Sequence, residues 1–358
     1  MRRALDLAKE GRPWPNPFVG AVVVKDGVIV GEGYHPKAGE PHAEVFALKA
    51  AGEKARGATL YVTLEPCCHR GRTPPCTEAI LKSGIGRVVM AAADPNPKAG
   101  GGIGILDEAG LEVEVGVLAR EARALNEVFF HAIASKRPFF TLKLAQSLDG
   151  KIATKSGQSR WISSKESRRW VHRLRSRTCA IMVGSGTVRA DDPLLNTRIP
   201  GGHDPIRIIV DTRASLSSDA KLWSVTSPVI VATGEGADPG QIERLKRSGA
   251  QVLVLPRAEG GVDLRALARA LYAQGITDVL LEGGATLAGA MLEAQLVDKF
   301  HLFLAPVVIG GESARGSIGG PGWEELGSCP RFHLYSQERI GADLLLTLYR
   351  EARGCSQA

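Results

Sequence analysis

A short cluster of histidine, glutamate and cysteine residues has the composition of a metal site. Glu44 follows His42 by two residues, and the segment from Cys67 to Cys76 holds three of the six cysteines. A catalytic zinc is typically held by three protein ligands, which leave one tetrahedral position open for water. His42, Cys67 and Cys76 supply such a set, and Glu44 is close enough in sequence to exchange protons with that water. The sequence therefore predicts a hydrolytic zinc site with Glu44 as its proton shuttle.

Other ligand arrangements are open at this point. A structural zinc site needs four protein ligands, and Cys68 or His69 could supply the fourth. Cys68 could also compete with Cys67, because the two thiols are adjacent in the chain. Cys76 stands at a predicted helix start, where the helix N-terminus would favour its thiolate.

The metal ligands must be positioned by strands and helices, and the pattern of residues 1–137 predicts both. Two β-branched runs around Lys25-Asp26-Gly27 predict a hairpin over 21–34. The helix that starts at His42 should end near Gly57. Further strands are predicted over 58–66, 87–95 and 111–118, and further helices over 76–84, 104–110 and 121–136. This alternation predicts a mostly parallel sheet with helices on both faces.

A second α/β series follows Arg137-Pro138, so we expect two domains, 1–137 and 138–358. Strands of the second domain are predicted within 139–150, 179–186, 206–212, 228–233, 251–256, 278–284, 299–310 and 343–351. The segments 236–241 and 310–322 are predicted loops. Disorder is expected only from Gly354 on. The chain begins close to Pro15-Asn16-Pro17, so a few residues of a first helix are expected to be missing.

Composition and charge distribution restrict the expected location and binding partners of the protein. The N-terminus has no apolar region after its arginines, and no run of eighteen apolar residues exists, so the expected location is cytoplasmic with no membrane partner. The net charge of +7 is concentrated in residues 138–215, where 14 Lys+Arg stand against 6 Asp+Glu. This excess of positive charge could bind nucleic acid, or it could line a pocket for phosphorylated small molecules. We favour the pocket and expect no nucleic-acid partner, because no block of Lys/Arg occurs.

Glycine motifs in the second half bear on cofactor binding. Gly184-Ser185-Gly186 lacks the third glycine of a dinucleotide fingerprint, so a Rossmann domain is not expected. Gly283-Gly284 follows a predicted strand and opens a predicted helix, where the backbone could approach a phosphate. By itself that motif is weak, since two adjacent glycines are common in turns.

The zinc cluster follows the H-x-E…P-C-x-x-C pattern of zinc deaminases with one departure, because its two cysteines are nine residues apart in PCCHRGRTPPC. That long form resembles the bifunctional diaminohydroxyphosphoribosylaminopyrimidine deaminase and 5-amino-6-(5-phosphoribosylamino)uracil reductase family of riboflavin biosynthesis. The resemblance extends to the second half through Lys143–Gly150 (KLAQSLDG), Gly157–Ile162 (GQSRWI) and Thr187–Leu195 (TVRADDPLL). It covers essentially the whole chain.

The resemblance implies a cytidine-deaminase-like three-layer α/β/α domain followed by a dihydrofolate-reductase-like α/β domain, with Zn²⁺ and NADPH as cofactors. It treats Cys68 as a bystander, because that position is usually a small polar residue in the family. It implies substrate contacts at Asn16, Ser159, Arg175, Leu195, Arg198 and Glu282, with His69 and Arg72 as further candidates. It implies NADPH contacts at Gln146, Trp161, Thr187, Asp191, Thr212, Gly284, Ala285, Thr286, Leu287, Ala288, Gly289 and Ala290.

The implied chemistry has two steps on one phosphorylated pyrimidine. A zinc-activated water displaces the ring amine as ammonia, with Glu44 moving the protons. NADPH then delivers hydride to C1′ of the ribosyl group, which becomes ribityl. Arg175 and Arg198 are the expected ligands of the ribose 5-phosphate. The family commonly forms homo-oligomers, so we expect one here.

Two alternative functions make different predictions. A deaminase of free nucleosides or of tRNA bases predicts a lone domain or an RNA-binding appendage, which the reductase-like second half argues against. A zinc-stabilised module that only binds a nucleotide predicts no requirement for Glu44.

Overall fold

The computed structural model describes residues 1–71 and 73–351. Contacts between residues divide the chain into two compact units, with the division between Lys136 and Arg137. Arg72 and the segment from Gly354, for which the sequence predicts a substrate contact and disorder, lie outside the described residues. In the described part, no helix has the length and apolar character to cross a membrane.

The first unit contains one mixed sheet. Its strands are β1 (Gly20–Lys25), β2 (Val28–Tyr34), β3 (Thr59–Val62), β4 (Arg87–Met90) and β5 (Glu112–Val115). Its α-helices within the described residues are α1 (Arg2–Ala8), α2 (Ala43–Ala51), α3 (Cys76–Ser83), α4 (Gly102–Glu108), α5 (Ala119–Leu125) and α6 (Glu127–Ser135). The strand order is β2-β1-β3-β4-β5.

The sheet of the first unit was expected to be mostly parallel, but only half of its pairs of adjacent strands are parallel. β3, β4 and β5 are parallel, but β1 is antiparallel to both β2 and β3. The reason is the hairpin, because its tight turn at Asp26-Gly27 returns the chain without a crossover helix. The predicted helix over 121–136 is divided at Asn126, whose side chain is buried and exchanges two hydrogen bonds with the backbone of Phe18, at 2.8 and 2.9 Å.

Apolar side chains cover both faces of this sheet. One cluster joins β1, β3 and β4 to α2, α3 and α4, and a second joins Leu64, Ala91 and Ala92 to α1, α5 and α6. Helix α2 lies very close to β2, since a Cβ atom at Gly31 would be 2.2 Å from Ala47 O and one at Gly33 would be 2.4 Å from Ala43 O. This close approach fixes the helix whose first turn carries Glu44.

The second unit is built on a nine-stranded sheet. In chain order the strands are β6 (Phe139–Gln146), β7 (Ala180–Gly184), β8 (Ile206–Val210), β9 (Val229–Gly234), β10 (Ala250–Leu255), β11 (Arg257–Ala258), β12 (Gly261–Val262), β13 (Asp278–Glu282), β14 (Lys299–Leu304), β15 (Phe332–Ile340) and β16 (Asp343–Arg350). The large sheet has the order β10-β9-β8-β7-β13-β6-β14-β16-β15, while β11 and β12 form a separate hairpin.

Parallel pairing extends from β10 through β14, and β16 and β15 are added antiparallel. The helices are α7 (Lys165–Arg175), α8 (Ser185–Asp191), α9 (Pro239–Arg247), α10 (Leu264–Ala273) and α11 (Ala285–Glu293). Part of the predicted 236–241 loop is helical, because Asp238 accepts the Gln241 N–H at 2.9 Å and Pro239 begins α9. Two apolar clusters cover the sheet, one with α10 and α11 and one with α8 and α9.

Candidate functional site

Three side chains from different parts of the first unit converge on one point. His42 directly precedes α2, Cys67 follows β3, and Cys76 begins α3. One ligand atom from each lies within 4.8 Å of the other two. His42 Nδ1 is 3.2 Å from Cys76 Sγ and 3.4 Å from Cys67 Sγ. An imidazole and two thiols at these separations are the donors that zinc prefers, so these residues fit that ion.

The three groups perturb each other's protonation. A hydrogen bond from the Cys76 thiol lowers the pKa of Cys67 to about 4, with His42 adding to the effect, and the same hydrogen bond raises the pKa of Cys76. The hydrogen bond to Cys67 also raises the pKa of His42. Cys67 is therefore a thiolate that attracts protons from both neighbours, and a dication would take the place of those protons.

Glu44 lies beside this cluster and is 3% exposed. Its Oε2 atom is buried and has no hydrogen-bond partner among the described residues. Burial raises the pKa of this carboxyl group. A buried carboxylate oxygen without a partner is costly, so its presence next to three metal-ligating atoms is best explained by a reacting molecule that it binds.

Asn16 is positioned by a histidine that the sequence reasoning missed. His35 Nδ1 donates to Pro41 O at 3.1 Å, so the neutral ring accepts at Nε2, where Asn16 Nδ2 lies at 3.0 Å. Burial lowers the pKa of His35, which keeps the ring neutral. The His35 and His42 rings meet edge to face with centroids 5.1 Å apart. Asn16 therefore directs its donor at His35 and keeps its carbonyl oxygen for another partner.

Cys68 points away from the ligand trio. Its thiol donates to Gly100 O at 3.1 Å, and its N–H donates to Ala99 O at 3.3 Å. Within the described residues the ligand atoms that converge are those of His42, Cys67 and Cys76. His69 is exposed. Cys68 thus anchors the 99–100 backbone, a role that residue type and spacing did not predict.

Glu65 makes a second connection to the same loop. Its buried carboxylate accepts the Asp94 N–H at 2.9 Å, the Gly101 N–H at 2.9 Å and the Ile103 N–H at 3.1 Å. Glu65 stands two residues before Cys67, so it ties the loop 94–101 and the start of α4 to the metal ligands. Burial raises the pKa of Asp94, the first residue of this loop, to about 6. Asp94 is therefore a further half-buried acid that the sequence reasoning did not single out.

A charged cluster lies at the carboxyl ends of β13 and β6 in the second unit. Arg175 donates to both oxygens of Glu282, at 2.6 and 3.0 Å, and to Asn196 O at 3.0 Å. Lys143 is the pairing partner of Glu282 on the adjacent strand. Burial lowers the pKa of Lys143. Burial by itself would raise the pKa of Glu282, but the neighbouring Arg175 guanidinium has the larger effect and leaves the Glu282 pKa below its usual value. Lys143, a residue of the KLAQSLDG motif, thus belongs to this site.

The residues predicted to bind substrate are only partly brought together around this cluster. Leu195 and Arg198 both have positive φ, 57° and 53°, on a segment held by hydrogen bonds from Thr197 to Asp204. Burial lowers the pKa of His172 to about 4, and Arg175 and Arg198 add to the shift, so His172 and Arg198 lie near the cluster. Arg198 is exposed, whereas the Arg175 guanidinium already forms an ion pair with Glu282. Among the described residues, no hydrogen bond joins Ser159 to Arg175, Arg198 or Glu282.

The start of α11 fits a phosphate. Gly283 and Gly284 have φ of 83° and 82°, and a Cβ atom at Gly284 would lie 3.0 Å from Thr187 Oγ1. The first N–H groups of a helix have no partner within it and attract anions. The side chains of Leu287 and Ala288 belong to the core and Gly289 abuts Gly319 O, so the backbone of the first turn and the exposed Thr286 side chain are the groups of this run that can meet a ligand.

Only two of the other predicted cofactor residues lie at strand ends, since Gln146 ends β6 and Thr212 follows β8. These two share the carboxyl edge of the parallel strands, where ligands of open α/β sheets bind. Trp161 lies in the segment before α7 and is 65% exposed, and the Arg168 guanidinium is 4.3 Å from its ring centroid. Asp191 ends α8, and its carbonyl oxygen accepts from Arg160 at 2.9 Å.

Each of the two units matches a known protein family. Residues 1–92 match the cytidine and deoxycytidylate deaminase zinc-binding region, and residues 138–346 match the RibD C-terminal domain. The riboflavin biosynthesis protein RibD of Aquifex aeolicus is 47% identical over 355 residues, which cover 98% of this chain and 97% of that protein. RibD of Escherichia coli is 43% identical, with 97% of this chain and 98% of that protein covered.

Solved structures agree over the same length. RibD of Acinetobacter baumannii superposes with a TM-score of 0.89 at 41% identity, covering 98% of each chain. A diaminohydroxyphosphoribosylaminopyrimidine deaminase/5-amino-6-(5-phosphoribosylamino)uracil reductase of Thermotoga maritima gives a TM-score of 0.86 at 38% identity, covering 98% of this chain and 97% of the other. The expected pair of folds, cytidine-deaminase-like and dihydrofolate-reductase-like, is thereby confirmed.

Proposed function

Because the chain belongs to the RibD family of bifunctional deaminase/reductases in riboflavin biosynthesis, we propose that its two sites act in turn on one phosphorylated pyrimidine. Its activities are hydrolytic deamination and reduction, and its cofactors are Zn²⁺ and NADPH. The proposed substrate is 2,5-diamino-6-(5-phosphoribosylamino)pyrimidin-4-one. The proposed domains are 1–137 for the deaminase and 138–358 for the reductase.

The convergence of His42, Cys67 and Cys76 beside an unpartnered Glu44 oxygen carries the deaminase assignment. Zinc, when bound, supplies a Lewis acid that makes water nucleophilic at neutral pH. His42, Cys67 and Cys76 hold the ion, and Glu44 takes the proton of the attacking water and delivers it to the departing amino group. Asn16 accepts a hydrogen bond from the pyrimidine through its carbonyl oxygen, which is oriented because one N–H of the same amide donates to His35.

The reductase site is organised around Glu282. NADPH, when bound, supplies the hydride that converts the ribosyl group to ribityl. Lys143 offers hydrogen-bond donors and Glu282 an acceptor to the sugar hydroxyls, while Ser159 and Leu195 are further proposed contacts. Arg198 is the better ligand for the 5-phosphate, because Arg175 already spends two donors on Glu282 and one on Asn196. Arg175 then serves mainly to orient Glu282.

A Glu44→Gln variant tests both halves at once. It keeps the size of the side chain but has no basic oxygen, so ammonia release from the diaminopyrimidine phosphate should fall by about 10²–10⁴-fold while bound zinc, measured by metal analysis, stays stoichiometric. The same variant should oxidise NADPH at the wild-type rate when given the deaminated product. Glu53→Gln, an exposed glutamate of the same unit, is the matched control.

Two results would contradict the assignments. A folded, zinc-loaded Glu44→Gln protein with wild-type ammonia release would remove Glu44 from the mechanism. A wild-type chain that deaminates the substrate but leaves NADPH unoxidised would remove the reductase assignment. The homo-oligomer, the cytoplasmic location and the lack of a nucleic-acid partner stay predictions.

A further inference from the structure

One face of the strands β13, β6 and β14 carries the charged cluster of the second unit. Glu282 pairs with Lys143 across β13 and β6, and Lys143 pairs with His301 across β6 and β14. Paired residues of adjacent strands have their side chains on one face of the sheet, and so do residues two apart on one strand. Phe303, two residues after His301, therefore lies on the same face as Lys143.

The Lys143 ammonium group has no acceptor in the protein. Within residues 1–71 and 73–351 it makes no hydrogen bond and no ion pair. Both oxygens of its paired neighbour Glu282 accept from Arg175 instead, at 2.6 and 3.0 Å. The Lys143 side chain is half-buried, and burial lowers the pKa of its ammonium group. Its three N–H donors are therefore free for a bound molecule, although its surroundings disfavour the charge that they carry.

The ring of Phe303 faces this ammonium group. Lys143 Nζ lies 5.8 Å from the centroid of the ring, which is within the range of a cation–π interaction. Phe303 is 0% exposed, and such contacts are strongest where water is excluded. An aromatic ring attracts a cation through its quadrupole and is not a carboxylate that would neutralise it. The contact therefore stabilises the charge of Lys143 and leaves that charge available to a ligand.

Trp170 of α7 holds the Phe303 ring in place. Trp170 meets Phe303 edge to face with centroids 5.5 Å apart, and it meets His301 in the same way at 5.1 Å. His301 is itself fixed, because its Nδ1 atom lies 3.1 Å from Thr347 Oγ1 in a hydrogen bond. Leu345, which pairs with Phe303 on β16, belongs to the same apolar cluster. This packing keeps the ring directed at Lys143.

The titratable groups on the elements around Lys143 act on its charge in opposite directions. Glu282 on β13 favours the ammonium form, whereas Arg175 on α7 disfavours it and so raises the importance of any other stabilising contact. His172 on α7 is neutral, because burial and nearby guanidinium groups lower its pKa to about 4. His301 on β14 is also neutral, because burial lowers its pKa to about 3. The aromatic ring therefore acts on the same side as the carboxylate.

We propose that Phe303 is a positioning residue of the reductase site, whose ring, supported by Trp170, keeps Lys143 charged and its N–H groups directed at the substrate. This role rests on the proposed reductase function. Phe303 acts through Lys143 and does not itself touch the reacting atoms.

The pH dependence of NADPH oxidation by the full chain, with the deaminated product as substrate, tests the proposal. Without the ring the ammonium form of Lys143 is less stable, so its pKa falls and the charge is lost at lower pH. In Phe303→Leu the alkaline limb of kcat/KM should therefore lie about 0.5–1.5 pH units below that of the wild type. Ammonia release and the affinity for NADP⁺, measured by calorimetry, should be unchanged. An alkaline limb at the same pH in both proteins would overturn the proposal.

Phe300→Leu is the matched control, because it makes the same substitution on the same strand. The Phe300 side chain lies on the opposite face of β14 and packs against Phe332, with centroids 6.0 Å apart. We expect its alkaline limb to coincide with that of the wild type. An equal displacement in Phe300→Leu and Phe303→Leu would show a general effect of core packing and would contradict the proposal.

Affinity for the deaminated product gives a second measurement, which requires no turnover. Calorimetry should show that Phe303→Leu weakens binding about two- to tenfold in the wild-type background and has no effect in a Lys143→Met background, where the ammonium is absent. An equal loss in both backgrounds would mean that Phe303 contributes packing alone. Should Phe303→Leu not fold, Phe303→Met, whose flexible side chain adapts to the space of the ring, carries both measurements. A wild-type chain that leaves NADPH unoxidised would instead refute the proposed reductase function.

Discussion

At the scale of single residues, hydrogen-bond direction decides what each group at the zinc site can do. Pro41 O can only accept, so His35 carries its proton on Nδ1 and must accept at Nε2. That acceptor engages one N–H of the Asn16 amide at 3.0 Å and leaves the Asn16 carbonyl oxygen for the proposed contact with the substrate. Glu44 is similarly constrained by burial, which leaves one oxygen without a protein partner. Both side chains are therefore oriented before the substrate arrives.

A His35→Ala variant tests this pre-orientation. Without its acceptor the Asn16 amide loses its fixed direction, and loss of one neutral hydrogen bond predicts a two- to tenfold lower kcat/KM for ammonia release, by about 0.5–1.5 kcal/mol. Zinc content should not change, and NADPH oxidation with the deaminated product should stay at the wild-type rate. His333→Gln, on β15 in the other unit, is the control. Wild-type deaminase kinetics in His35→Ala would show that Asn16 needs no such support.

At the scale of elements, one buried carboxylate joins a strand end, a loop and a helix start. Glu65 accepts three backbone N–H groups, from residues 94, 101 and 103. The first N–H groups of a helix lack partners within the helix. A carboxylate at the start of α4 accepts hydrogen bonds from them and interacts favourably with the positive end of the helix dipole. The consequence is that the loop 94–101 and the segment Cys67–Cys68 are held together.

Glu65→Gln should weaken this connection. The amide has one acceptor oxygen and an NH₂ group that faces N–H donors, so at least one buried donor loses its partner at a cost of about 1–3 kcal/mol. We expect a lower unfolding midpoint for the deaminase unit and a higher KM for deamination, measured by thermal unfolding and by ammonia release. An exposed glutamate, changed as Glu53→Gln, should alter neither. Unchanged stability in Glu65→Gln would mean that the three hydrogen bonds contribute nothing net.

At the scale of the whole molecule, the two units have separate cores and separate chemistry. The zinc ligands all lie before Lys136, and the Arg175, Lys143 and Glu282 cluster lies after it. A metal bound by two thiolates and an imidazole adds folding free energy to the unit that holds it. The reductase unit contains none of these ligands.

Removal of zinc by a chelator should therefore affect the activities unequally. Ammonia release should be lost and the unfolding midpoint of the deaminase unit should fall, whereas NADPH oxidation with the deaminated product should persist. Readdition of Zn²⁺ should restore deamination, which serves as the control for irreversible damage. Parallel loss of both activities on chelation, both restored by Zn²⁺, would indicate that the reductase unit also depends on the metal.

The sequence by itself predicted the candidate zinc ligands, the proposed proton shuttle and the division of the chain into two units. These follow from residue type and spacing, because a metal site constrains its donors locally and strand and helix periodicities are local properties. It also anticipated most strands, including the antiparallel hairpin of β1 and β2, although β15 was missed and the antiparallel pairing of β1 with β3 was not expected.

Only the tertiary structure decided which distant groups meet. Three examples join residues from separate elements: the contact of Asn16 with His35, the three hydrogen bonds of Glu65, and the paired hydrogen bonds of Arg175 with Glu282. The physical reason is that hydrogen-bond direction, burial and charge pairing depend on the packing of those elements, and no periodicity within one segment reports them.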